Sequence, residues 1–190
     1  MALLFRKFLK FRTFKCNWLN SNFLNSESNN MNFKASLDST AKAITVVVTS
    51  LFTGLIAYGF VTYSNSNSIL YTAAFLTIVY FICWLLRPLR YSVTETDLLI
   101  ERPMGNIKIK KEDIQSIEIL QESNIGGTVR TFGVGGLFGY YGKYYNSTFG
   151  SMNWYVTRID KPVLITTAKS KIVVSPDEPD RFAETLRKIN

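Results

Sequence analysis

Two long apolar runs dominate the pattern of hydrophobic and polar positions along the chain. Residues 43–63 and residues 69–86 contain no charged side chain, and a polar connector over residues 64–68 separates them. A helix needs roughly 17–25 apolar residues to cross the hydrocarbon core of a bilayer. Because Asn and Ser in the connector favour a turn, the pattern predicts a two-helix transmembrane hairpin over residues 43–88.

Beyond the hairpin the apolar positions change to a period of two, which is the period of a half-buried β-strand. Turn residues such as Thr96-Asp97 and Pro103-Met104-Gly105 separate the alternating segments. The alternation predicts about seven short strands, at residues 91–95, 98–102, 107–109, 117–119, 153–157, 162–166 and 171–174. Strands this short and this closely spaced are typical of an antiparallel barrel or sandwich.

The period changes once more near the C-terminus, where it predicts an amphipathic helix. Asp177 is a candidate N-cap, and Pro179 is tolerated in the first turn of a helix. Phe182, Leu186 and Ile189 recur at the spacing of one helix face. The chain is therefore predicted as α+β, with the hairpin followed by an antiparallel β-domain and a C-terminal helix that caps it.

Three stretches of the β-rich region together resemble the bacterial PH-domain (pleckstrin-homology-like) families found on small membrane proteins. They are YSVTETDLLIERPMGNIKIKKEDIQSIEI, RTFGVGGLFGYYGKY and the late segments VLITT and KIVVSPDEPDRFAETL. The resemblance covers about residues 89–190 and implies a PH-like antiparallel β-barrel with a C-terminal capping helix. It carries over no catalytic residue. It also carries over no phosphoinositide site, because neither predicted hairpin turn, 96–97 or 103–105, holds a basic cluster.

The charged residues that flank the hairpin indicate its orientation. Lys34 and Lys42 precede the hairpin, Arg87 and Arg90 follow it, and the connector carries no charge. The positive-inside rule then places both termini in the cytoplasm and the connector outside. We predict a multi-pass protein of the bacterial cytoplasmic (inner) membrane.

Residues 1–42 are predicted to form a basic, disordered N-terminal tail. In residues 1–30, apolar and basic side chains would lie on opposite faces of a helix, which suits an anionic membrane surface. The same basic, acid-poor composition suits a transit peptide. A third interpretation is an over-called start, in which residues 1–30 are not translated and Met31 is the true first residue.

The formal net charge of +8 does not indicate nucleic-acid binding once it is divided by region. The part from residue 91 onward holds 13 basic and 12 acidic residues, whereas a surface that follows phosphates needs a clustered excess of cations. The chain has no histidine, and its two cysteines, Cys16 and Cys83, lie outside the β-rich region. That region therefore lacks the commonest general base, a thiolate nucleophile and the commonest zinc ligands.

Paired carboxylates are the remaining candidates for acid–base chemistry. Glu112 and Asp113 lie in a predicted bend, and Asp177, Glu178 and Asp180 begin the predicted helix, where the helix dipole favours acidic residues. Both sets have a structural explanation. We expect no enzyme activity, no catalytic residue, no cofactor and no bound metal.

Residues 126–150 form a glycine–aromatic stretch that holds eight of the chain's eleven glycines. It lacks a nucleotide-binding fingerprint, because Phe138 occupies the position of the third glycine after Gly133-Val-Gly135. Three interpretations stay open: the stretch covers one end of the barrel, faces the bilayer, or forms a protein-binding or self-association surface. The candidate interaction surface comprises Arg130, Phe132, Leu137, Phe138, Tyr140, Tyr141, Lys143 and Tyr144.

Two function classes follow for a cytoplasmic PH-like domain that two helices hold at the membrane surface. We favour a protein-interaction or self-assembly module, because the helices already supply the attachment to the membrane. The alternative is a lipid or membrane-surface sensor that acts through residues 130–149. A basic patch formed by Arg130, Lys143 and Arg158 would favour the sensor, whose partners would be lipid headgroups rather than a protein or a second copy.

Overall fold

The computed structural model describes residues 30–61 and 67–188. Residues 1–29, most of the predicted connector and the predicted apolar position Ile189 lie outside this part. The described residues form a mixed α+β fold, as predicted. In chain order the elements are β1 (Met31–Lys34), α1 (Ser39–Val61), α2 (Asn67–Leu86), β2 (Arg90–Val93), β3 (Asp97–Glu101), β4 (Ile107–Lys110), a 3-10 turn (Lys111–Asp113), β5 (Ile114–Ile119), α3 (Glu122–Ile125), β6 (Val129–Gly136), β7 (Gly139–Asn146), β8 (Gly150–Val156), β9 (Val163–Thr167), β10 (Lys171–Val174) and α4 (Pro179–Lys188).

The strands form two sheets rather than the closed barrel that the resemblance implies. Strands β1-β2-β3-β4 make an antiparallel sheet, and β5-β9-β10-β8-β7-β6 make a second sheet in which only β10 and β8 pair in parallel. Among the described residues no ladder joins the two sheets. The break falls at the 3-10 turn, where the Lys111 N–H donates to the Thr96 carbonyl (3.0 Å) and its ammonium donates to the Thr94 carbonyl. These bonds turn the chain from one layer to the other, and the barrel prediction is therefore wrong.

Apolar side chains fill the space between the sheets and also cover the other face of the six-stranded sheet. In β9, Val163 and Ile165 belong to the cluster between the sheets, whereas Leu164 belongs to the cluster on the opposite face. Successive side chains of a strand point to opposite faces, so both faces of this sheet are apolar. Phe182 and Leu186 of α4 complete the cluster between the sheets, which confirms the predicted apolar face of the helix.

The N-terminal segment is part of the folded domain, so the prediction of a disordered tail over residues 1–42 is wrong for its last twelve residues. Strand β1 pairs with β2 along the edge of the four-stranded sheet, with Lys34 opposite Arg90. Phe33 is buried, and its ring centroid lies 5.1 Å from that of Phe182 in an edge-on arrangement. The strand has only two apolar residues, Met31 and Phe33, and so short an alternation is not recognisable in the sequence.

The two long helices are inserted in the chain between β1 and β2. Helix α1 begins at Ser39, four residues before the predicted hairpin, because Asp38 caps it: the Ala41 N–H donates to the Asp38 carboxylate at 2.6 Å. In the part of the chain that the structure describes, Ser39–Gly59 is long and apolar enough to cross a membrane, whereas the apolar part of α2 is the shorter Tyr71–Leu86. One of the two predicted spans therefore meets the criteria of length and composition.

Helix α4 begins at Pro179, two residues after the predicted N-cap. The N–H of Phe182 bonds to the Glu178 carbonyl at 2.9 Å, so Glu178 and not Asp177 precedes the helix directly. The Asp177 carboxylate instead accepts hydrogen bonds from the backbone N–H and the hydroxyl of Ser36. The N-cap prediction is wrong because a long-range partner occupies the carboxylate.

The glycine–aromatic stretch contains a β-hairpin, strands β6 and β7, that the sequence does not predict. Gly133 and Gly142 face each other across the two strands, with φ of 119° and 130°. A Cβ at Gly133 would lie 2.3 Å from the carbonyl oxygen of Tyr141, and one at Gly142 would lie 2.3 Å from that of Phe132. Because only glycine fits at these two positions, the alternation that marks a strand is interrupted in the sequence.

Candidate functional site

The glycine–aromatic hairpin, residues 129–146, carries the eight residues of the predicted interaction surface but does not present them together. Directly paired residues of antiparallel strands share a face. One face carries Phe132, its pair Lys143, and Tyr141. This face is turned towards the four-stranded sheet, because Tyr141 pairs with Tyr155, which packs against the cluster between the sheets. The opposite face carries Arg130 with its pair Tyr144, and also Tyr140; Leu137 and Phe138 connect the two strands.

The turn of the hairpin docks against both long helices. Phe138 is only 7% exposed, and its ring centroid lies 5.2 Å from that of Tyr80 in α2. Its backbone N–H donates to the Thr45 hydroxyl of α1 at 3.0 Å. Phe138 has φ of 58°, the only positive φ of a non-glycine residue in the described chain, so its backbone is strained where it contacts the helices. The Arg87 guanidinium lies 5.6 Å from the centre of the same ring.

Tyr141 provides a second link between the hairpin and α2. Its hydroxyl donates to the backbone carbonyl of Cys83, and the side chain is buried. Desolvation by burial raises the pKa of Tyr141 above its ordinary value, so the hydroxyl is protonated and available as a donor at neutral pH. Phe138 and Tyr141 are therefore occupied by contacts within the chain.

The opposite face of the hairpin is packed on the core of the six-stranded sheet. Tyr144 stacks on Trp154 with ring centroids 4.4 Å apart, and its hydroxyl donates to the Val134 carbonyl at 2.7 Å. The Tyr140 hydroxyl donates to Asp38 at 3.5 Å. Burial raises the pKa of both tyrosines to about 12. A cleft of about 680 Å³ opens on this face, with walls that include Ile125, Arg130, Tyr140, Tyr144, Trp154 and Ile159.

The first face of the hairpin is exposed where the helices do not cover it. Phe132 is 76% exposed, and the paired residues Val129 and Tyr145 are 63% and 51% exposed. Sequence reasoning missed Val129 and Tyr145. The available signal was the alternation of Tyr141, Lys143 and Tyr145 along one strand, which places all three on one face.

The two edges of the six-stranded sheet differ in how they are covered. Edge strand β5 packs against α4, and the Arg187 guanidinium donates to the Ile117 carbonyl at 2.8 Å. Edge strand β6 is met by α1 near its end, where a Cβ at Gly136 would lie 2.4 Å from Ile44. Among the described residues no strand pairs with the outer side of β6, and its first half, with Val129 and Phe132, is exposed, so it forms an open strand edge.

The three cations of the predicted basic patch do not come together. Arg130 and Lys143 lie on opposite faces of the hairpin. Arg158 pairs with Asp160 at 2.6 Å and with Asp177 at 3.6 Å. The ion pair raises the pKa of Arg158 and lowers the pKa of Asp160. The charge of Arg158 is thus balanced within the domain.

No group of three or more His, Cys, Asp or Glu residues is placed to hold a metal ion in the described part of the chain. Two of the carboxylates singled out in the sequence form ion pairs with nearby basic residues. Glu112 pairs with Lys110 at 2.7 Å, and Glu178 pairs with Arg181 at 3.0 Å. The absence of enzyme activity and of a cofactor stays a prediction.

Comparison with known proteins bears on the β-rich region. A family model described as "Bacterial PH domain" matches residues 89–190, the region over which the sequence resembles that family. No curated protein and no solved structure matches the chain. Since the match spans more than half of the 190 residues, the chain belongs to the bacterial PH domain family.

Proposed function

We propose that this protein is a small integral membrane protein whose PH-like domain, held at the cytoplasmic face of the membrane, binds a partner protein at the open edge of β6. The observation that carries the proposal is the exposed apolar edge formed by Val129 and Phe132. Exposed apolar edge strands are unusual in soluble monomers, because they pair readily with another chain.

The insertion of the helices between two paired strands supports a two-span membrane anchor. Lys34 and Arg90 are neighbours in the sheet, so a chain that leaves the domain along α1 has to return to the same place. The Thr49 hydroxyl and the Tyr80 hydroxyl lie 2.8 Å apart, which places α1 and α2 side by side. If α1 crosses a bilayer, α2 is the element that brings the chain back across it.

The surfaces of the two helices support the same interpretation. Large apolar side chains on both helices are exposed, among them Val46, Val47, Leu51, Leu55, Phe75 and Ile78. Contact with lipid would remove this apolar surface from water. Lys42 and Arg87 flank the pair on the side of the domain, which favours a cytoplasmic domain in the bacterial inner membrane.

The chemistry of the β6 edge favours an extended, acidic segment of another polypeptide as the partner. An added strand would hydrogen-bond to the open backbone of β6 and place apolar side chains beside Phe132 and Val129. Arg130 and Lys143 would flank it and attract carboxylates. Pairing of two copies through β6 would bring Arg130 and Lys143 of both copies together. Repulsion among these four cations disfavours self-assembly at this edge.

Photo-crosslinking in membranes tests the proposal in the full-length protein. A benzoylphenylalanine at position 132 should give adducts to a second polypeptide, through an acidic segment identified by mass spectrometry. Lys143→Glu should reduce their yield by repelling the carboxylates, and Lys169→Glu, an exposed lysine in the β9–β10 turn, should not. The same probe at Phe138 should give adducts within the chain, because that residue packs on Tyr80.

Other adducts at position 132 would overturn the proposal in distinct ways. Adducts to a second copy would make the edge a self-assembly surface. Adducts mainly to lipid would establish the alternative function, membrane-surface sensing through residues 130–149. The observation that favours this alternative is the position of the hairpin turn, which contacts Ile44 and Thr45 in the first turns of α1 and would therefore lie close to the bilayer surface.

A further inference from the structure

The cleft on the second face of the hairpin has the composition of a ligand site. It is bordered by α3 and by strands β6, β7 and β8, and it holds about 680 Å³. Its walls are mainly apolar and aromatic, with Tyr140, Tyr144 and Trp154 contributed by two adjacent strands. Small-molecule sites combine such walls with a few polar groups that orient the ligand.

Trp154 supplies a polar group that has no partner within the described chain. The residue is 3% exposed, and its indole Nε1–H is buried without a hydrogen-bond acceptor. Buried donors in native proteins are nearly always satisfied, and an indole nitrogen can only donate. The N–H lies in the plane of a ring that stacks on Tyr144 at an interplanar angle of 16°, so it does not point at that ring. An acceptor from outside the described chain would satisfy it.

Arg130 is the charged residue that lines the cleft, and its positive charge favours a negatively charged ligand. Its guanidinium lies along the wall: a Cβ at Gly135 would come within 2.5 Å of Arg130 Nη1. No carboxylate among the described residues forms an ion pair with it within 4.0 Å. An unpaired guanidinium offers several N–H donors in a fork that fits phosphate or carboxylate.

We propose that the cleft binds an anionic amphiphile, a molecule with a phosphate or carboxylate group on an apolar body. The anionic group would accept hydrogen bonds from the Arg130 guanidinium and from the Trp154 Nε1–H. The apolar body would lie against Ile125 and Ile159. The cleft shares Val129 and Arg130 with the proposed partner-binding edge, whereas Phe132 and Lys143 lie on the opposite face of the hairpin and belong to that edge alone. Membrane lipids and soluble amphiphiles share this chemistry.

Nuclear magnetic resonance of the indole N–H groups tests the proposal in the full-length protein. The protein is labelled with ¹⁵N-tryptophan and placed in nanodiscs of phosphatidylcholine, and the Trp154 signal is assigned with Trp154→Phe. Dodecyl phosphate should shift the Trp154 signal saturably, whereas the uncharged dodecyl maltoside should not. Arg130→Gln should weaken the apparent affinity at least about tenfold, the effect of losing a charge-assisted hydrogen bond. Lys143→Gln is the matched control and should leave the affinity unchanged.

Three results would overturn the proposal: no saturable shift at Trp154, an equal shift with dodecyl maltoside, or equal affinity in Arg130→Gln. A second set of nanodiscs, which contain phosphatidylglycerol, distinguishes a membrane lipid from a soluble amphiphile as the ligand. If phosphatidylglycerol shifts the Trp154 signal without added dodecyl phosphate, the ligand is a membrane lipid. If only dodecyl phosphate does so, the ligand is a soluble amphiphile. The variant Lys143→Glu, which tests the β6 edge, should bind dodecyl phosphate normally, so failure of one proposal does not imply failure of the other.

Discussion

The Ser36 hydroxyl donates a hydrogen bond of 2.6 Å to the Asp177 carboxylate, although the two residues are 141 positions apart in the sequence. The Ser36 N–H donates to the other carboxylate oxygen at 3.0 Å, and the Asp177 N–H returns a bond to the Lys34 carbonyl at 3.0 Å. These bonds join the segment before the long helices to the entrance of the last helix. The folding unit therefore includes residues 31–38 and is larger than the region that matches the family.

Replacing Asp177 tests this connection. Asp177→Ala should lower the free energy of unfolding by about 2 kcal/mol, because two donors of Ser36 and the nearby Arg158 lose a charged partner. Asp180→Ala, which removes an exposed carboxylate from the first turn of α4, should cost less than about 1 kcal/mol. Thermal unfolding of the full-length protein in detergent measures both changes. Equal effects of the two substitutions would show that the Ser36 bonds contribute nothing.

The contribution of β1 can be measured at Phe33. Phe33→Ala should destabilise the domain by about 3–5 kcal/mol, because it leaves a cavity beside Phe182 between the sheets. Met31 in the same strand is 48% exposed, so Met31→Ala should change stability by less than about 1 kcal/mol. Denaturant unfolding compares the two variants. A small effect at Phe33 would mean that the domain folds without its first strand.

Two glycines with similar φ separate the cost of a steric clash from the cost of the backbone conformation. Gly105 and Gly142 have φ of 132° and 130°, but a Cβ at Gly105 meets nothing within 4 Å, whereas one at Gly142 lies 2.3 Å from the Phe132 carbonyl oxygen. Gly105→Ala should cost about 1–2 kcal/mol from backbone strain alone. Gly142→Ala should cost about 1–3 kcal/mol more, because the strands have to separate. Equal melting temperatures in the two variants would contradict the close approach of β6 and β7 at Gly142.

Stability should fall at high pH because Tyr91 is buried. Burial raises the pKa of Tyr91 from 10.0 to about 12, and its hydroxyl donates to the Tyr155 carbonyl at 2.6 Å. Because the pKa of Tyr91 is higher in the folded state than in the unfolded state, its protonated hydroxyl contributes its full stabilisation below about pH 10. That contribution, about 2–3 kcal/mol, is lost as the pH rises through about 12.

The variant Tyr91→Phe isolates this group from the other tyrosines. It should cost about 1–3 kcal/mol near pH 8, because the bond to the Tyr155 carbonyl and the bond accepted from the Ser175 N–H are both lost. It should also show a smaller fall in unfolding free energy between pH 9 and 12. The exposed Tyr145 in β7 provides the control for the loss of a hydroxyl, and Tyr145→Phe should change stability near pH 8 by less than about 0.5 kcal/mol. A Tyr91→Phe slope as steep as that of the unsubstituted protein would mean that Tyr91 does not titrate in this range.

The strands that could be predicted from the sequence are those in which a short apolar run, or an alternation of apolar and polar side chains, is not interrupted by glycine. β6 and β7 were missed because Gly133 and Gly142 replace side chains at positions where the backbones approach closely. A closed barrel and two packed sheets require the same alternation, so the choice between them depends on how the chain turns at Lys111. That turn is fixed by a long side chain reaching back to Thr94, which no local pattern reveals.

The candidate site was predicted in part for a similar reason. The aromatic composition located the hairpin, but it could not say that Tyr140 and Tyr144 face the core while Phe132 faces outward. That division follows from the register of β6 with β7, which contains a bulge between Arg130 and Phe132. A bulge changes which residues share a face, and its position depends on the final packing.

The insertion of the long helices between β1 and β2 has a mechanical consequence. Any sliding of α1 along α2 would pull β1 against β2, because only four residues separate β1 from α1 and only three separate α2 from β2. A shift of the β1–β2 register by one residue would turn Phe33 from the core to the surface. The pairing therefore fixes the position of α1 relative to α2 along their axes. If the two helices span a bilayer as proposed, a change in bilayer thickness that forced them to tilt unequally would be transmitted to the core of the domain as strain on four residue pairs.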